Sequence, residues 1–243
     1  MTDDKRADDL PADDLNVFPP QLLEGYRAFC ENRLPRERER FEELAAAGQK
    51  PRVLLIGCCD SRVSPEVIFD ARPGEIFVVR NVANLVPPYE PGDEHNHGTS
   101  AALEFAVMGL RVEHIVVMGH ALCGGVRAFA ESEADPYARP LSPGDFIGRW
   151  IKLIAPAYEA VGPGSPADES YVEKLGMASV ENSIANLLTF PCIRTLVEKK
   201  RIALHGAYFG VTTGRLLIRD PQTRRFEPVG PGPEGRFSLM HCG

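Results

Sequence analysis

Four short and almost uninterrupted apolar runs do most to limit what this chain can fold into. They occupy residues 53–56, 76–79, 115–118 and 202–204. Apolar and polar side chains do not alternate within these runs, which is typical of strands that are covered on both faces. The gaps between the runs are long enough for crossover helices. Because helices alternate with buried strands, we predict an α/β protein with a largely parallel central sheet flanked by helices.

Helical spacing is clearest in two of these gaps. Apolar side chains recur three or four residues apart over residues 99–110 and again over 179–188, and Pro191 ends the second pattern. Ahead of the first strand, residues 19–48 are predicted to form an N-terminal helical arm, in which Pro35 begins or kinks a second helix. The predicted order is therefore a helical arm followed by the α/β alternation.

Two further segments have less regular patterns. Residues 137–167 are rich in Pro and Gly around one helical patch at 146–154, and we predict a surface excursion there. Two short apolar segments, 208–211 and 216–218, flank a Thr-Gly pair. This arrangement predicts a C-terminal hairpin that extends the sheet.

Negative charge is concentrated at the start of the chain. The first 16 residues hold six aspartates against one lysine and one arginine, which is −4 of the formal net charge of −7. We predict a disordered acidic leader over residues 1–16 and a single domain over residues 17–243. The remaining −3 argues against nucleic-acid and membrane partners. No apolar run approaches the roughly 18 residues of a membrane span, and the start lacks the apolar core of a secretory signal, so the expected location is cytoplasmic.

Two polar motifs directly follow the first and third predicted strands. Residues 57–62 read Gly-Cys-Cys-Asp-Ser-Arg, and residues 119–125 read Gly-His-Ala-Leu-Cys-Gly-Gly. Ligands of open parallel sheets gather beyond the carboxyl ends of the strands, so both motifs are expected at one edge. His120 and Cys123 are three residues apart, and one turn can present both on the same side. Cys58 completes a Cys2His set, which favours zinc and leaves a fourth coordination position free.

Asp60 is the obvious candidate for that fourth position. In an extended segment Cys58, Asp60 and Arg62 share a side, so Arg62 can hold the carboxylate in a bidentate pair and keep it off the metal. Cys59 would then point away and serve packing. The alternative from another class is a structural zinc module in which Asp60 or another thiol fills the position permanently. Nucleotide binding is less supported, because neither the G-x-G-x-x-G nor the P-loop motif occurs.

The two motifs together resemble the paired signature of the β-class carbonic anhydrases, in their plant-like branch. The resemblance rests on C-x-D-S-R at residues 58–62 and H-x-x-C-G-G at residues 120–125, and it extends over residues 24–218. It implies a catalytic dyad of Asp60 and Arg62. It also implies one zinc ion per subunit, held by three side chains: Cys58, His120 and Cys123.

The resemblance implies a zinc lyase that reversibly hydrates CO2 to bicarbonate and a proton, by attack of zinc-bound hydroxide. Phe77 and Phe105 match positions that line the apolar substrate pocket, and Gln49 falls where the plant-like branch has a glutamine that hydrogen-bonds substrate. Tyr is frequent at the second aromatic position, and Phe105 lacks its hydroxyl. Backbone N–H groups at Gly124, where a helix is expected to begin, would favour an anion. Similar proteins hydrolyse CS2 or COS, and access to the pocket would distinguish that activity.

The family's dimer implies a homodimer or a higher even oligomer with its active site at the subunit interface. Gln49, Phe77 and Phe105 would then reach the partner's metal. A second branch of the family is regulated by bicarbonate through a Trp, an Arg and a Tyr. Here Leu55 occupies the Trp position and Arg80 is retained. The resemblance therefore implies the plant-like open form, with the dyad paired and no such regulation.

Overall fold

The computed structural model describes residues 17–91, 98–135, 137–231 and 237–239. The chain divides into two compact units, residues 1–49 and residues 50–243. The predicted acidic leader lies outside the described residues. The single domain expected over the rest of the chain stays a prediction.

The described part of the first unit is helical, as the sequence predicts. Helix α1 spans Pro20–Ala28, a π-helical turn spans Phe29–Arg33, and helix α2 spans Leu34–Ala47. Pro35 lies in the first turn of α2, directly after the π-helical turn, which agrees with the prediction that it begins or kinks a second helix. No residue of these three segments is buried. Phe29 contacts the rings of Tyr26 and Phe41.

A seven-stranded sheet organises the second unit. Its order is β2-β1-β3-β4-β5-β6-β7, and the first four strands are mutually parallel while the others pair antiparallel. The strands are β1 Val53–Cys58, β2 Ile76–Asn81, β3 His114–His120, β4 Ala203–Phe209, β5 Leu216–Arg219, β6 Phe226–Pro231 and β7 Phe237–Leu239. The predicted parallel sheet and the β4–β5 hairpin are confirmed. Strands β6 and β7 were not predicted, because prolines and glycines interrupt that stretch of sequence.

Helices cover the sheet and follow its strands in alternation. In the second unit they are α3 Pro65–Ile68, α4 Gly98–Glu104, α5 Gly124–Ala134, α6 Phe146–Ile151, α7 Ala155–Val161, α8 Glu169–Leu187 and α9 Pro191–Glu198. The predicted helix over 99–110 is α4 together with a π-helical segment, Phe105–Leu110. The predicted helix over 179–188 is the second half of α8. Its first half was not predicted, and a buried glycine there, Gly176, interrupts the apolar pattern.

Helix α8 ends at Leu187, so the predicted stop before Pro191 is confirmed, and Pro191 itself is the first residue of α9, a position that tolerates proline. One detail of the prediction is wrong. The segment over residues 137–167 is more than a surface excursion. It contains helices α6 and α7, and Ile151 and Ile154 are buried in the core cluster that also includes Cys58. Within the described residues, no helix combines the length and the apolar character needed to cross a membrane.

Helix α8 lies so close to β3 that one strand position has no room for a side chain. A Cβ atom added at Gly119 would lie 2.8 Å from Val180 Cγ2 on α8 and 3.0 Å from Tyr208 Cδ2 on β4. Both neighbours are completely or almost completely buried, so neither can move aside easily. Gly119 therefore sets the depth at which β3, and with it His120, lies under α8.

We predict that Gly119→Ala lowers the free energy of unfolding by about 1–3 kcal/mol, because the added methyl group overpacks the core. The matched control is Gly98→Ala at the start of α4, where an added Cβ would meet no atom of the described residues within 4 Å. Its effect should stay within about 0.5 kcal/mol. Urea unfolding followed by circular dichroism measures both. Equal stability of the two variants would contradict the close contact.

Candidate metal centre

Three ligand-type side chains meet at the carboxyl edge of the parallel strands. Cys58 is the last residue of β1, His120 is the last residue of the neighbouring β3, and Cys123 caps the N-terminus of α5. Their ligand atoms lie within 4.8 Å of one another. All three residues are buried, with exposed fractions of 5%, 1% and 2%. The structure thus brings together the three residues that the sequence predicts as metal ligands.

The imidazole of His120 is prepared to accept a metal ion. Its Nδ1 lies 2.9 Å from the carbonyl oxygen of Ala121. A carbonyl oxygen only accepts, so Nδ1 carries the proton and Nε2 keeps a free lone pair. Nε2 is buried and has no hydrogen-bond partner among the described residues. A buried acceptor without a partner is costly, and a metal ion would satisfy it.

The spacing of the sulfur atoms fits zinc. Cys58 Sγ and Cys123 Sγ are 4.0 Å apart. Two thiolates on a tetrahedral zinc ion, each with a Zn–S distance of about 2.3 Å, are about 3.8 Å apart. Two sulfurs and one imidazole are also the donor set that zinc prefers over Mg²⁺ or Ca²⁺. Both the geometry and the chemistry of the set therefore fit a zinc ion with one position left open.

The surroundings of Cys58 favour its thiolate. The hydrogen bond from the Cys123 thiol is the main cause that lowers the pKa of Cys58, against the opposing effect of burial. The backbone N–H groups of Asp60 and Ala83 lower it further. The Ala83 amide donates to Cys58 Sγ at 3.4 Å. Cys58 Sγ therefore has hydrogen-bond donors that favour its thiolate form.

Cys123 has the complementary environment. The same hydrogen bond and its burial raise the pKa of Cys123. The amides of Val126 and Gly125, at the N-terminus of α5, act in the opposite direction and favour the thiolate. A divalent cation between the two sulfurs would favour the thiolate form of both.

Asp60 and Arg62 form the predicted bidentate pair. Arg62 Nε donates to Asp60 Oδ1 at 2.9 Å, and Arg62 Nη2 donates to Oδ2 at 2.6 Å. These bonds hold the pKa of the Asp60 carboxyl well below its usual range. The expected extended segment is wrong, however. The chain turns here, with the amide of Val63 donating to Asp60 O and the amide of Arg62 to Asp60 Oδ1, and the turn brings the two side chains together.

This ion pair stands directly beside the ligand cluster. Asp60 Oδ2 is 3.9 Å from His120 Nε2. Arg62 Nη2 also donates to the carbonyl oxygen of Leu122 at 3.1 Å, and Leu122 adopts a left-handed conformation between the two ligands of the second motif. The guanidinium therefore joins the loop after β1 to the loop after β3.

The residues predicted to bind substrate do not all lie beside the ligand cluster. Gly124 begins α5 next to Cys123, as expected. Phe77 and Phe105 contact each other, with ring centroids 5.8 Å apart. Phe77 lies near the start of β2, four strand positions before the partner of Cys58, which is about 13 Å along the sheet. Gln49 ends the first unit, and its role stays a prediction.

Some features of the site were not predicted from sequence. Arg80 donates to Cys58 O at 2.8 Å and to Asp60 O at 2.7 Å, so it fastens the backbone of the first motif. The sequence signal that could have indicated this role is the position of Arg80 directly after an apolar run. Gly125 is also required, because an added Cβ would lie 2.8 Å from Val82 Cγ1. The expectation that Cys59 serves packing is wrong, since its side chain is exposed.

Comparison with known proteins agrees with this geometry. The family model described as carbonic anhydrase matches residues 53–216. The chain is similar to a carbonic anhydrase of Pseudomonas aeruginosa, with 34% identity over 88% of this chain and 94% of that protein. It is 39% identical to beta carbonic anhydrase 5, chloroplastic, of Arabidopsis thaliana over 77% of this chain, a match that spans 60% of the longer plant protein.

Solved structures show the same relationship. The β-carbonic anhydrase CcaA superimposes with a TM-score of 0.75 at 29% identity, covering 85% of this chain and 97% of that one. A β-carbonic anhydrase of Sordaria macrospora, described as tetrameric, gives a TM-score of 0.68 at 29% identity, covering 82% and 94%. The chain belongs to the carbonic anhydrase family. Its relatives place it in the β class, whose members are zinc enzymes that hydrate CO2.

We predict that Cys123→Ser abolishes stoichiometric zinc binding, because a serine hydroxyl does not replace a thiolate ligand. The matched control is Cys192→Ser, which changes a thiol that packs against the core and takes no part in the cluster. Elemental analysis of the purified proteins measures the zinc content. Full occupancy in Cys123→Ser would contradict the ligand assignment.

Proposed function

We propose that this chain catalyses the reversible hydration of CO2 to bicarbonate and a proton, with a zinc ion held by Cys58, His120 and Cys123. The observation that carries the proposal is the buried Nε2 of His120, which has no hydrogen-bond partner among the described residues and lies close to two thiols and the Asp60 carboxylate. When bound, the zinc ion supplies the Lewis acidity that makes hydroxide available near neutral pH. The remaining steps depend on side chains of the chain itself.

Asp60 orients the nucleophile in this proposal. Its lowered pKa keeps the side chain ionised at any pH at which the enzyme would work, so it always accepts a hydrogen bond and never donates one. Its position 3.9 Å from His120 Nε2 puts the acceptor directly beside the ligand set. A hydroxide whose proton points to Asp60 turns its lone pairs towards the carbon of CO2.

Arg62 keeps Asp60 in that role. Both carboxylate oxygens accept from the guanidinium, so coordination by Asp60 would require this bidentate pair to break. This supports the open, plant-like form over a structural zinc module with four protein ligands. Within the part of the chain that the structure describes, the ligand cluster has three members, and the neighbouring thiol of Cys59 is exposed.

We also propose a homodimer, or a higher even oligomer, in which each subunit completes its partner's substrate pocket. Phe77 lies far along β2 from Cys58 of its own chain, and Phe105 is 53% exposed although it is apolar. Met108, next on the same helical segment, is 58% exposed. Such a face favours burial against a second copy. Gln49 and Gly124 would contribute hydrogen bonds to CO2 or bicarbonate.

The first unit supports the same assembly. Its helices have no buried residue, yet large apolar side chains on α1 and just before it are exposed, and a partner would cover them: Val17, Phe18, Leu22, Leu23 and Tyr26. The Sordaria macrospora relative is described as tetrameric, which is an even number of subunits. The cytoplasmic location stays a prediction, and one relative is named as chloroplastic.

We predict that Asp60→Asn keeps its zinc but lowers the rate of CO2 hydration by about a hundredfold or more, because an amide presents a donor to the hydroxide where a carboxylate accepts. Asp70→Asn is the matched control, since Asp70 is exposed and carries the same substitution away from the cluster. Stopped-flow CO2 hydration and zinc content are measured on both. An unchanged rate in zinc-loaded Asp60→Asn would refute the role of Asp60. Turnover of CS2 or COS in place of CO2 by the unmodified enzyme would refute the proposed substrate.

The shared pocket is tested with a heterodimer of two inactive chains. One chain carries Cys123→Ser and so lacks zinc, and the other carries Phe105→Asp and so spoils the pocket that its Phe105 lines. If Phe105 serves the partner's metal, the Phe105→Asp chain receives an intact Phe105 from its partner, and the heterodimer should recover about half of the wild-type rate. Two affinity tags isolate the heterodimer. A heterodimer as inactive as both parent homodimers would show that Phe105 acts within its own chain.

A further inference from the structure

A buried turn at the end of β2 reaches the metal centre through its backbone. Residues Val82–Asn84 form one turn of 3-10 helix between β2 and Leu85. Ala83 and Asn84 have φ values of 63° and 50°, which lie in the left-handed region that side chains other than glycine rarely adopt. Ala83 is completely buried. Two such residues in succession persist only where the surrounding structure holds them in place.

The turn aims one backbone N–H group at a metal ligand. The amide of Ala83 donates to Cys58 Sγ at 3.4 Å. Hydrogen bonds to a metal-ligating group fix its orientation and tune its charge, and these outer partners affect metal affinity strongly. The left-handed conformation of Ala83 is thus linked to the direction of the Cys58 sulfur.

The side chain of Asn81 closes this turn. Its Oδ1 accepts from the amide of Leu85 at 2.8 Å, and its Nδ2 donates to the carbonyl of Leu85 at 2.8 Å. Nδ2 also lies 3.3 Å from the hydroxyl oxygen of Thr99. One amide group therefore pairs with both backbone groups of the residue that follows the turn, and the three residues between them have little freedom.

Two further contacts hold the turn in place beside the metal centre. Trp150 Nε1, on α6, donates to the carbonyl of Val82 at 2.8 Å. Gly125 of α5 also contacts the turn and leaves no room for a side chain, since an added Cβ would lie 2.8 Å from Val82 Cγ1 and 3.1 Å from Ala83 Cβ. The turn is held by α6 while it packs on the helix that Cys123 caps.

We propose that Asn81 is a positioning residue of the metal centre. By closing the turn over Ala83 it holds the N–H donor on Cys58 Sγ and so strengthens zinc binding, with Trp150 as a second and weaker support. The inference rests on the proposed zinc site at Cys58, His120 and Cys123. It adds that the affinity of this site depends on a residue that touches neither the metal nor the substrate.

The test is Asn81→Asp, which keeps the size of the side chain but replaces the donor that Leu85 O and Thr99 require. The zinc-loaded enzyme is equilibrated against a chromophoric chelator to obtain the dissociation constant of zinc. We expect it to rise about ten- to a hundredfold relative to the wild type. The cobalt-substituted enzyme should show a shifted thiolate-to-metal charge-transfer band, because the hydrogen bond to Cys58 Sγ is altered.

The matched control is Asn182→Asp on α8. Asn182 Nδ2 donates to Leu153 O at 2.9 Å, a bond of the same kind that lies outside the turn. Thermal unfolding measures what each variant loses in stability. If Asn81 only supported the fold, Asn81→Asp would resemble this control, with a lower melting temperature but unchanged zinc affinity and an unchanged cobalt spectrum. That result would overturn the inference.

A second variant covers the case in which Asn81→Asp does not fold. Trp150→Phe keeps an aromatic ring but removes the N–H that donates to Val82 O, and we expect a severalfold weaker zinc affinity. Wild-type affinity in that variant would overturn the inference. Measurements on the wild type distinguish a failure of this inference from a failure of the proposed function. If the wild type binds one zinc ion and hydrates CO2 while neither variant changes affinity, only the role of the turn is refuted. If the wild type binds no zinc, both are refuted.

Discussion

The parallel pairing of β1 with β3 is the constraint on which the rest of the molecule depends. The two strands are neighbours in register, with Gly57 opposite Met118, so the residues that follow them emerge at one edge. Cys58 and His120 are 62 positions apart in the chain, yet this pairing makes them neighbours. Loop closure over such a distance costs conformational entropy. Burial of the apolar residues of both strands offsets that cost. The same pairing positions the polar residues at the ends of the strands.

Around this edge, hydrogen bonds to neighbouring groups hold the backbone of the first motif, the Asp60 carboxylate and the His120 ring. Arg80 holds the carbonyls of Cys58 and Asp60, Arg62 holds the Asp60 carboxylate, and the carbonyl of Ala121 holds the His120 ring. A site prepared in this way binds its ion without first having to order the ligands. The sheet and helix α5 together hold the ligands in this arrangement.

Sequence alone predicts the parts of the structure that rest on local signals. The four apolar runs identify the parallel strands, and two motifs identify the ligand set, because strand ends and ligand types can be read within a few residues. The Asp60–Arg62 pair was predicted for the wrong reason, since a turn and not an extended segment brings the two together. The role of Asn81, the close approach at Gly125 and the burial of Ile151 depend on segments far apart in the chain, and no local pattern reveals them.

The ion pair beside the ligands has a consequence for product release. Two thiolates and the Asp60 carboxylate against the Arg62 guanidinium leave two negative charges, which a divalent cation cancels. A loaded centre of this composition is electrically neutral, whereas three neutral imidazoles would leave the full charge of the ion in place. Bicarbonate would therefore experience little net Coulomb attraction at the moment it has to depart.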